Sequence, residues 1–281
     1  MRGWIGLAML GVGCAVTGAI RAQDPAPPLP ATAVPFELAS DFLVVVEGQV
    51  GDVGGLRFIV DTGATRSVID RKVAIRLHLQ RHTGKIMNFD RFVPTEYADV
   101  SPFQIGPLRA QSLSVMVANL LEYSALAEGV DGIVGLDLLS RSPKFTIDYE
   151  KRKLYFEGTP SRISDLVPRC FVVPVVVQGT TLRLTVDTGL AEILVYGERL
   201  RHSAKVRTEG EPETVKIGRI EGKKVVLLGV QLGRPKEPVA VVLIDGPVEP
   251  MLVGLDGYLG VASLHARRVD FDFSRMTLHW Q

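Results

Sequence analysis

One phrase occurs twice in this chain, as Phe58-Ile-Val-Asp61-Thr62-Gly63 and as Leu184-Thr-Val-Asp187-Thr188-Gly189. Each copy ends an apolar, strand-like run in a carboxylate, followed two residues later by a glycine that permits a tight turn. Repetition of one unit allows its two copies to face each other across a pseudo-two-fold axis. It constrains chemistry too. Two carboxylates held about 3 Å apart cannot both ionise, so such a pair presents an acid and a base together.

The flanks repeat as well. Phe42-Leu-Val-Val-Val leads to the first Asp-Thr-Gly as Phe171-Val-Val-Pro-Val-Val-Val leads to the second. Gly132-Ile133-Val134-Gly135-Leu-Asp137 precedes the strand-like run from Phe145, and Met251-Leu252-Val253-Gly254-Leu-Asp256 precedes the run from Val269. Three blocks in the same order indicate internal duplication. The runs are β-branched and aromatic, broken by Gly, Pro or charge, which predicts an all-β fold: two tandem closed β-barrel lobes, residues 36–158 and 165–281. Helix is expected only over Asp70 to Gln80 and in short turns after Gly135 and Gly254, where Asp137 and Asp256 would suit a helix start.

The 281 residues, 46% of them hydrophobic, are enough to bury an ordinary core. A formal net charge of +1, with no long block of like charge, gives no reason to expect a nucleic-acid partner. Residues 1–22 read as an export signal, a basic start followed by an apolar stretch, and residues 23–35 as a Pro/Ala-rich linker. This predicts a periplasmic or secreted protein, with membrane attachment only if the leader stays uncleaved or Cys14 is lipidated. Cleavage would leave Cys170 as the single cysteine, a small buried hydrophobe before a Val-rich strand. His78 and His82 have the spacing of two metal ligands on one helical turn, but lack a nearby completing set; a solvated face is the simpler reading.

Asp61-Thr62-Gly63-Ala64 after an apolar strand, with Ile133-Val134-Gly135 downstream, resembles the aspartic proteases, and the retropepsin-like branch in particular. The resemblance recurs once per half, and two fused lobes are similar to a compact version of the bilobal pepsin plan. It implies a monomeric aspartic endopeptidase acting on peptide or protein substrates, with Asp61 and Asp187 as the catalytic pair. It implies that Thr62 and Thr188 each hydrogen-bond the opposite loop's backbone, with Gly63, Ala64 and Gly189 shaping the turns. The apolar-apolar-Gly segments Ile133-Val134-Gly135 and Leu252-Val253-Gly254 would support the loops from beneath. One carboxylate would activate a bound water for attack on the peptide carbonyl while the protonated partner hydrogen-bonds the carbonyl oxygen, with no metal, cofactor or covalent intermediate.

In this family a β-hairpin flap covers the cleft. Gly84 to Tyr97 and Arg207 to Gly222 are the candidates here, with ordinary surface loops as the alternative. The second turn departs from the pattern, because Leu190 stands where the family places Ala or a small hydroxyl residue. Leu190 would crowd the pair or weaken the loop, and its apolar bulk predicts a less acidic optimum than that of pepsin-like enzymes. A catalytically inactive exported protein that binds peptides or a partner in the interlobe cleft is therefore the alternative function.

Overall fold

A computed structural model describes residues 9–10, 32–88, 91–123, 128–158, 170–201, 208–217, 220–232, 237–245 and 254–281. They form an all-β, two-lobed architecture of one fifteen-stranded and one seven-stranded sheet. The runs into the two Asp residues are central strands. Val53–Val60 lies antiparallel to Leu43–Val50 and parallel to Gly132–Val134. Thr180–Asp187 lies likewise between Val172–Val177 and Gly257–Gly260. Phe58, Ile59 and Val60 are all buried, as are Leu184, Thr185 and Val186, which explains why both strands read as near-continuous apolar runs rather than alternating ones.

The lobes differ in how they close. In the second, Val176 and Val177 pair with Gln231 and Val230, joining the first strand of the sheet to Ile220–Gln231 and completing a ring. In the first, the hairpin formed by Phe103–Ile105 and Leu108–Ala110 occupies the corresponding edge of Leu43–Val50 instead.

The lobes also share a sheet. Lys144–Asp148 pairs antiparallel with Arg268–Asp272, placing Phe145 opposite Phe271. Their rings stack with centroids 4.5 Å apart and an interplanar angle of 7°. Lys153–Glu157 and Thr32–Ala39 extend this sheet on one side and Thr277–Trp280 on the other. Phe171 packs its ring edge-on to Phe271 at 5.3 Å, so one apolar core runs continuously through both lobes.

Two local expectations change, for the linker and for the first helix. Thr32–Pro35, assigned to the linker, begins the strand Thr32–Ala39, with Val34 opposite Leu154. Of the leader, only Met9–Leu10 is described, as a two-residue strand beside Met87 and Asn88. The helix expected over Asp70 to Gln80 spans only Arg71–Arg76, capped by Asp70, whose side chain accepts from the Lys72 amide. His78 already has a left-handed backbone (φ 52°) and His82 lies in the strand Arg81–Asn88, so the two imidazoles share no helical face. Among the described residues, no helix is long and apolar enough to cross a membrane, which does not bear on β-barrel spans.

Truncating the stacked ring at the lobe junction should be costly. Phe271→Ala is expected to lower unfolding free energy by about 3–5 kcal/mol in denaturant titration, the range for a buried Phe deletion. A loss below about 1 kcal/mol would show that the shared sheet does not couple the lobes.

Candidate active site

The two Asp-Thr-Gly turns meet at the lobe interface, joined by a reciprocal set of hydrogen bonds. The Thr62 amide donates to Thr188 Oγ1 at 3.0 Å, and the Thr188 amide to Thr62 Oγ1 at 3.2 Å. Each hydroxyl then donates onward to a carbonyl of the opposite strand, Thr62 Oγ1 to Val186 O at 3.0 Å and Thr188 Oγ1 to Val60 O at 2.7 Å. A hydroxyl accepts and donates at once, so two threonines satisfy two buried amides and two carbonyls across the interface.

This cross-tie fixes where the carboxylates sit. Asp61 Oδ1 accepts from the amides of Gly63 (2.8 Å) and Ala64 (3.1 Å), and Asp187 Oδ1 from that of Gly189 (2.7 Å). Each carboxylate also lies against the opposite loop's glycine. A Cβ at Gly63 would collide with Asp187 Oδ2, and one at Gly189 would come within 2.8 Å of Asp61 Oδ2. Both turns therefore require glycine for close approach rather than for an unusual φ.

Both Asp residues are about 1% exposed or less. Burial is the main reason the Asp61 carboxyl is pushed up to about 6, partly offset by the hydrogen bonds from Asp187, Gly63 and Ala64. Asp187 is raised further, first by burial and then by the charge of Asp61 beside it. Among the described residues Asp187 Oδ2 has no hydrogen bond of ordinary geometry, and it lies against Gly63 of the opposite loop. Burial thus biases both carboxyls toward the protonated form, and the charge of Asp61 biases Asp187 further that way.

Ala64 and Leu190 occupy matched positions but enter different cores. Ala64 packs with Ile59, Ile133 and Ile86 in the first lobe. Leu190, 2% exposed, packs with Cys170, Leu194 and Tyr258 in the second. Its bulk is thus accommodated in the second lobe's core, and the reciprocal threonine bonds remain formed beside it. Buried Cys170 sits in that same apolar cluster.

The support segments required a correction. Ile133 and Val134 pair with Ile59 and Val60, and Gly135 leaves no room for a Cβ, with Ala64 O 2.7 Å from where one would stand. In the second lobe this place belongs to Tyr258-Leu259-Gly260: Leu259 is opposite Val186, and a Cβ on Gly260 would stand 2.7 Å from Leu190 O. Leu252 and Val253 lie outside the described residues. Gly254 (φ 90°) is the counterpart of Gly129 (φ 72°), each beside the arginine four residues before its lobe's Asp-Thr-Gly aspartate, Arg183 and Arg57. The true repeat is Gly129-Val-Asp131-Gly-Ile-Val-Gly135 against Gly254-Leu-Asp256-Gly-Tyr-Leu-Gly260. Asp131 accepts the Arg57 amide at 2.9 Å and Asp256 the Arg183 amide at 2.8 Å, one role in two lobes. Asp256 is therefore a strand brace and not a helix start. The second lobe's counterpart of the helix after Gly135 is the 3-10 turn Val261–Leu264, after Gly260.

Asp137 does lie in the first turn of the helix Leu136–Leu139, where it accepts from the Ser67 amide (2.9 Å) and hydroxyl (2.6 Å). Ser67 Oγ in turn accepts from the Gly135 amide at 3.1 Å, closing a brace beneath the first Asp loop. Ser67 carried no signal in the sequence alone. Its counterpart is Ile193, so the brace exists in one lobe only.

With the geometry established, comparison with known proteins is direct. Residues 46–138 match the family model described as aspartyl protease. Over this segment the chain is similar to the aspartyl protease family. The match spans the first Asp loop and its support strand, and the second lobe repeats that arrangement through its own residues. Among solved structures, the chain is similar to an aspartic proteinase from Irpex lacteus at 13% identity, over 88% of this chain and 95% of that one, with a TM-score of 0.47. It is similar to the basic 7S globulin from soybean at 10% identity, over 90% of this chain and 95% of that one, again with a TM-score of 0.47. No curated protein matches.

The cross-tie and the buried pair each give a measurable consequence. Thr188→Val keeps the shape but removes the acceptor for the Thr62 amide and the donor to Val60 O, and should cost about 2–4 kcal/mol in chemical denaturation. For Asp61, a folded pKa near 6 against an ordinary value of 3.8 means that the native state binds more protons than the unfolded state in between. The resulting stability is present below about pH 4 and is lost as pH rises through about 6. The double variant Asp61→Asn/Asp187→Asn should flatten that fall in unfolding midpoints measured between pH 4 and 7, and an unchanged slope would assign it elsewhere.

Proposed function

We propose that this protein is an aspartic endopeptidase that hydrolyses peptide bonds with water activated between Asp61 and Asp187. The observation that carries the reading is the reciprocal Thr62–Thr188 bonding, which holds two buried carboxylates against each other at the lobe interface. Both carboxylates are buried, and positional tolerance is small, since a misplacement of about 1 Å can cost about a hundredfold in rate.

In the reactive state the pair carries one proton. The ionised carboxylate takes a proton from the attacking water, and the protonated partner donates to the carbonyl oxygen as it gains charge. Collapse of the tetrahedral adduct breaks the C–N bond, and the pair returns a proton to the departing nitrogen. The protonation states belong to the pair rather than to either residue.

The substrate would be an extended peptide held by main-chain hydrogen bonds, with side chains entering alternate pockets. The hairpins Arg81–Asn88/Arg91–Val100 and Thr208–Ile217/Ile220–Gln231 span the two flap candidates, of which Phe89, Asp90, Arg207, Gly218 and Arg219 lie outside the described residues. Export through the leader at residues 1–22, to the periplasm or beyond, and a monomeric state belong to the same proposal.

Incubation of the purified protein with denatured mixed proteins should give cleavage that Asp61→Asn and Asp187→Asn each reduce at least about a thousandfold. Because the pair first gives up a proton near pH 6, kcat/KM should rise with pH toward a limb near that value. An optimum below about pH 4 would contradict the shared-proton assignment. Absence of cleavage at every pH from acid to neutral, with peptide binding retained, would instead establish the non-catalytic binding reading.

A further inference from the structure

Five residues beyond each Asp, the two loops make a contact that no sequence motif marks. In the first lobe this residue is exposed Arg66, whose guanidinium carbon lies 5.7 Å from the centroid of the Tyr97 ring, within cation–π range. In the second it is Glu192, which accepts from Lys224 Nζ at 2.6 Å.

The sheet registers show that these are one contact made twice. Tyr97 stands opposite Met116, and Met116 opposite Val68. Lys224 stands opposite Val242, and Val242 opposite Leu194. Val68 and Leu194 each lie two residues beyond the loop residue in question. Tyr97 and Lys224 therefore occupy the same ladder position, each on the inner strand of its lobe's hairpin. The chemistries are unrelated: a loop cation on a hairpin aromatic in one lobe, a loop anion on a hairpin cation in the other. What the two lobes have in common is the tie itself, not the residue type.

We infer that the residue five positions past each Asp latches the stem of the adjacent flap hairpin to the active-site loop, making Arg66, Tyr97, Glu192 and Lys224 positioning residues. The inference rests on the endopeptidase reading for its catalytic consequence, but not for the latch. In the first lobe the latch grips both strands of the hairpin. Tyr97 donates from its hydroxyl to Lys85 O at 3.0 Å, and its ring covers Gly84, where a Cβ would come within 2.5 Å of ring carbon Cε2. In the second it holds one strand through an ion pair whose Glu192 is 16% and Lys224 35% exposed. A partly exposed ion pair weakens with salt, because the screening length falls to about 3 Å at 1 M. The second latch is thus the more salt-sensitive of the two, although the first flap's inner strand carries an ion pair of its own, Arg71 to Glu96 at 2.7 Å.

Glu192→Gln, Lys224→Met and the charge-exchanged pair Glu192→Lys/Lys224→Glu, made in the full chain, test this by hydrogen exchange and by peptide kinetics. Each single change should accelerate amide exchange in Thr208–Ile217 and Ile220–Gln231 roughly fivefold while leaving Lys144–Asp148 unchanged. It should raise KM more than it lowers kcat, and the exchanged pair should restore most of both. Arg66→Gln should do the same to Arg81–Asn88 and Arg91–Val100, with a smaller response to salt. Unchanged hairpin exchange in the single variants, or no recovery in the exchanged pair, would overturn the latch. A wild-type protein without cleavage would defeat the endopeptidase reading, and the exchange data would still decide the latch.

Discussion

The hydrogen bonds exchanged between Thr62 and Thr188 are the constraint on which the rest of the structure depends. Each threonine amide is buried and would lack a partner without the other lobe's hydroxyl, and each hydroxyl reaches a strand carbonyl that would otherwise lose one. Leaving such groups unpaired costs about 1–3 kcal/mol apiece, so the two turns are stable together in a way that neither is alone. The glycines then allow the carboxylates to close on each other, and burial does the rest by raising both toward the protonated form. Fold and chemistry share one cause: the interface that completes the lobes also creates the pair.

Around that symmetric centre the lobes have diverged, and the differences fall where symmetry is not needed. Ala64 faces Leu190, Ile133 faces Tyr258, Ser67 faces Ile193, and Arg66 faces Glu192 across the pseudo-two-fold relation. Tyr258 brings its hydroxyl within 3.4 Å of that of buried Tyr196, so the second lobe's core is more polar than the first lobe's at this point. Leu190 fills part of that core. The glycines at 63, 189, 135 and 260, by contrast, recur because each would place a Cβ against a carboxylate or a backbone carbonyl.

Much of this was readable from the chain because the decisive residues are contiguous. An apolar strand running into Asp-Thr-Gly forms one local phrase, and its repetition announced both the lobes and the facing pair. The second support segment was misread for a physical reason. Leu252-Val253-Gly254 imitates Ile133-Val134-Gly135 in letters, whereas the position requires burial and a missing Cβ, which Tyr258-Leu259-Gly260 also supplies. The Asp-Gly dipeptides at 131–132 and 256–257 were the better guide, since each Asp pins the strand that carries its lobe's Asp-Thr-Gly loop. The helix after Asp70 was overextended because its apolar spacing continued past Leu77, where the backbone already turns. Ser67 and the loop-to-hairpin contacts were invisible, because they depend on ladder register between strands far apart in sequence.

The claim beneath all of this is that Asp61 and Asp187 act as one titrating unit. Carbon-13 spectroscopy of the two side-chain carboxyls, assigned through Asp61→Asn and Asp187→Asn, tests it directly. The account expects both signals to move together, with the first step near pH 6 and the second above it, and expects the survivor in either variant to titrate differently from its behaviour in the pair. Two independent transitions near the ordinary value of 3.8 would show solvated carboxylates that merely lie close, and would contradict the account at its centre.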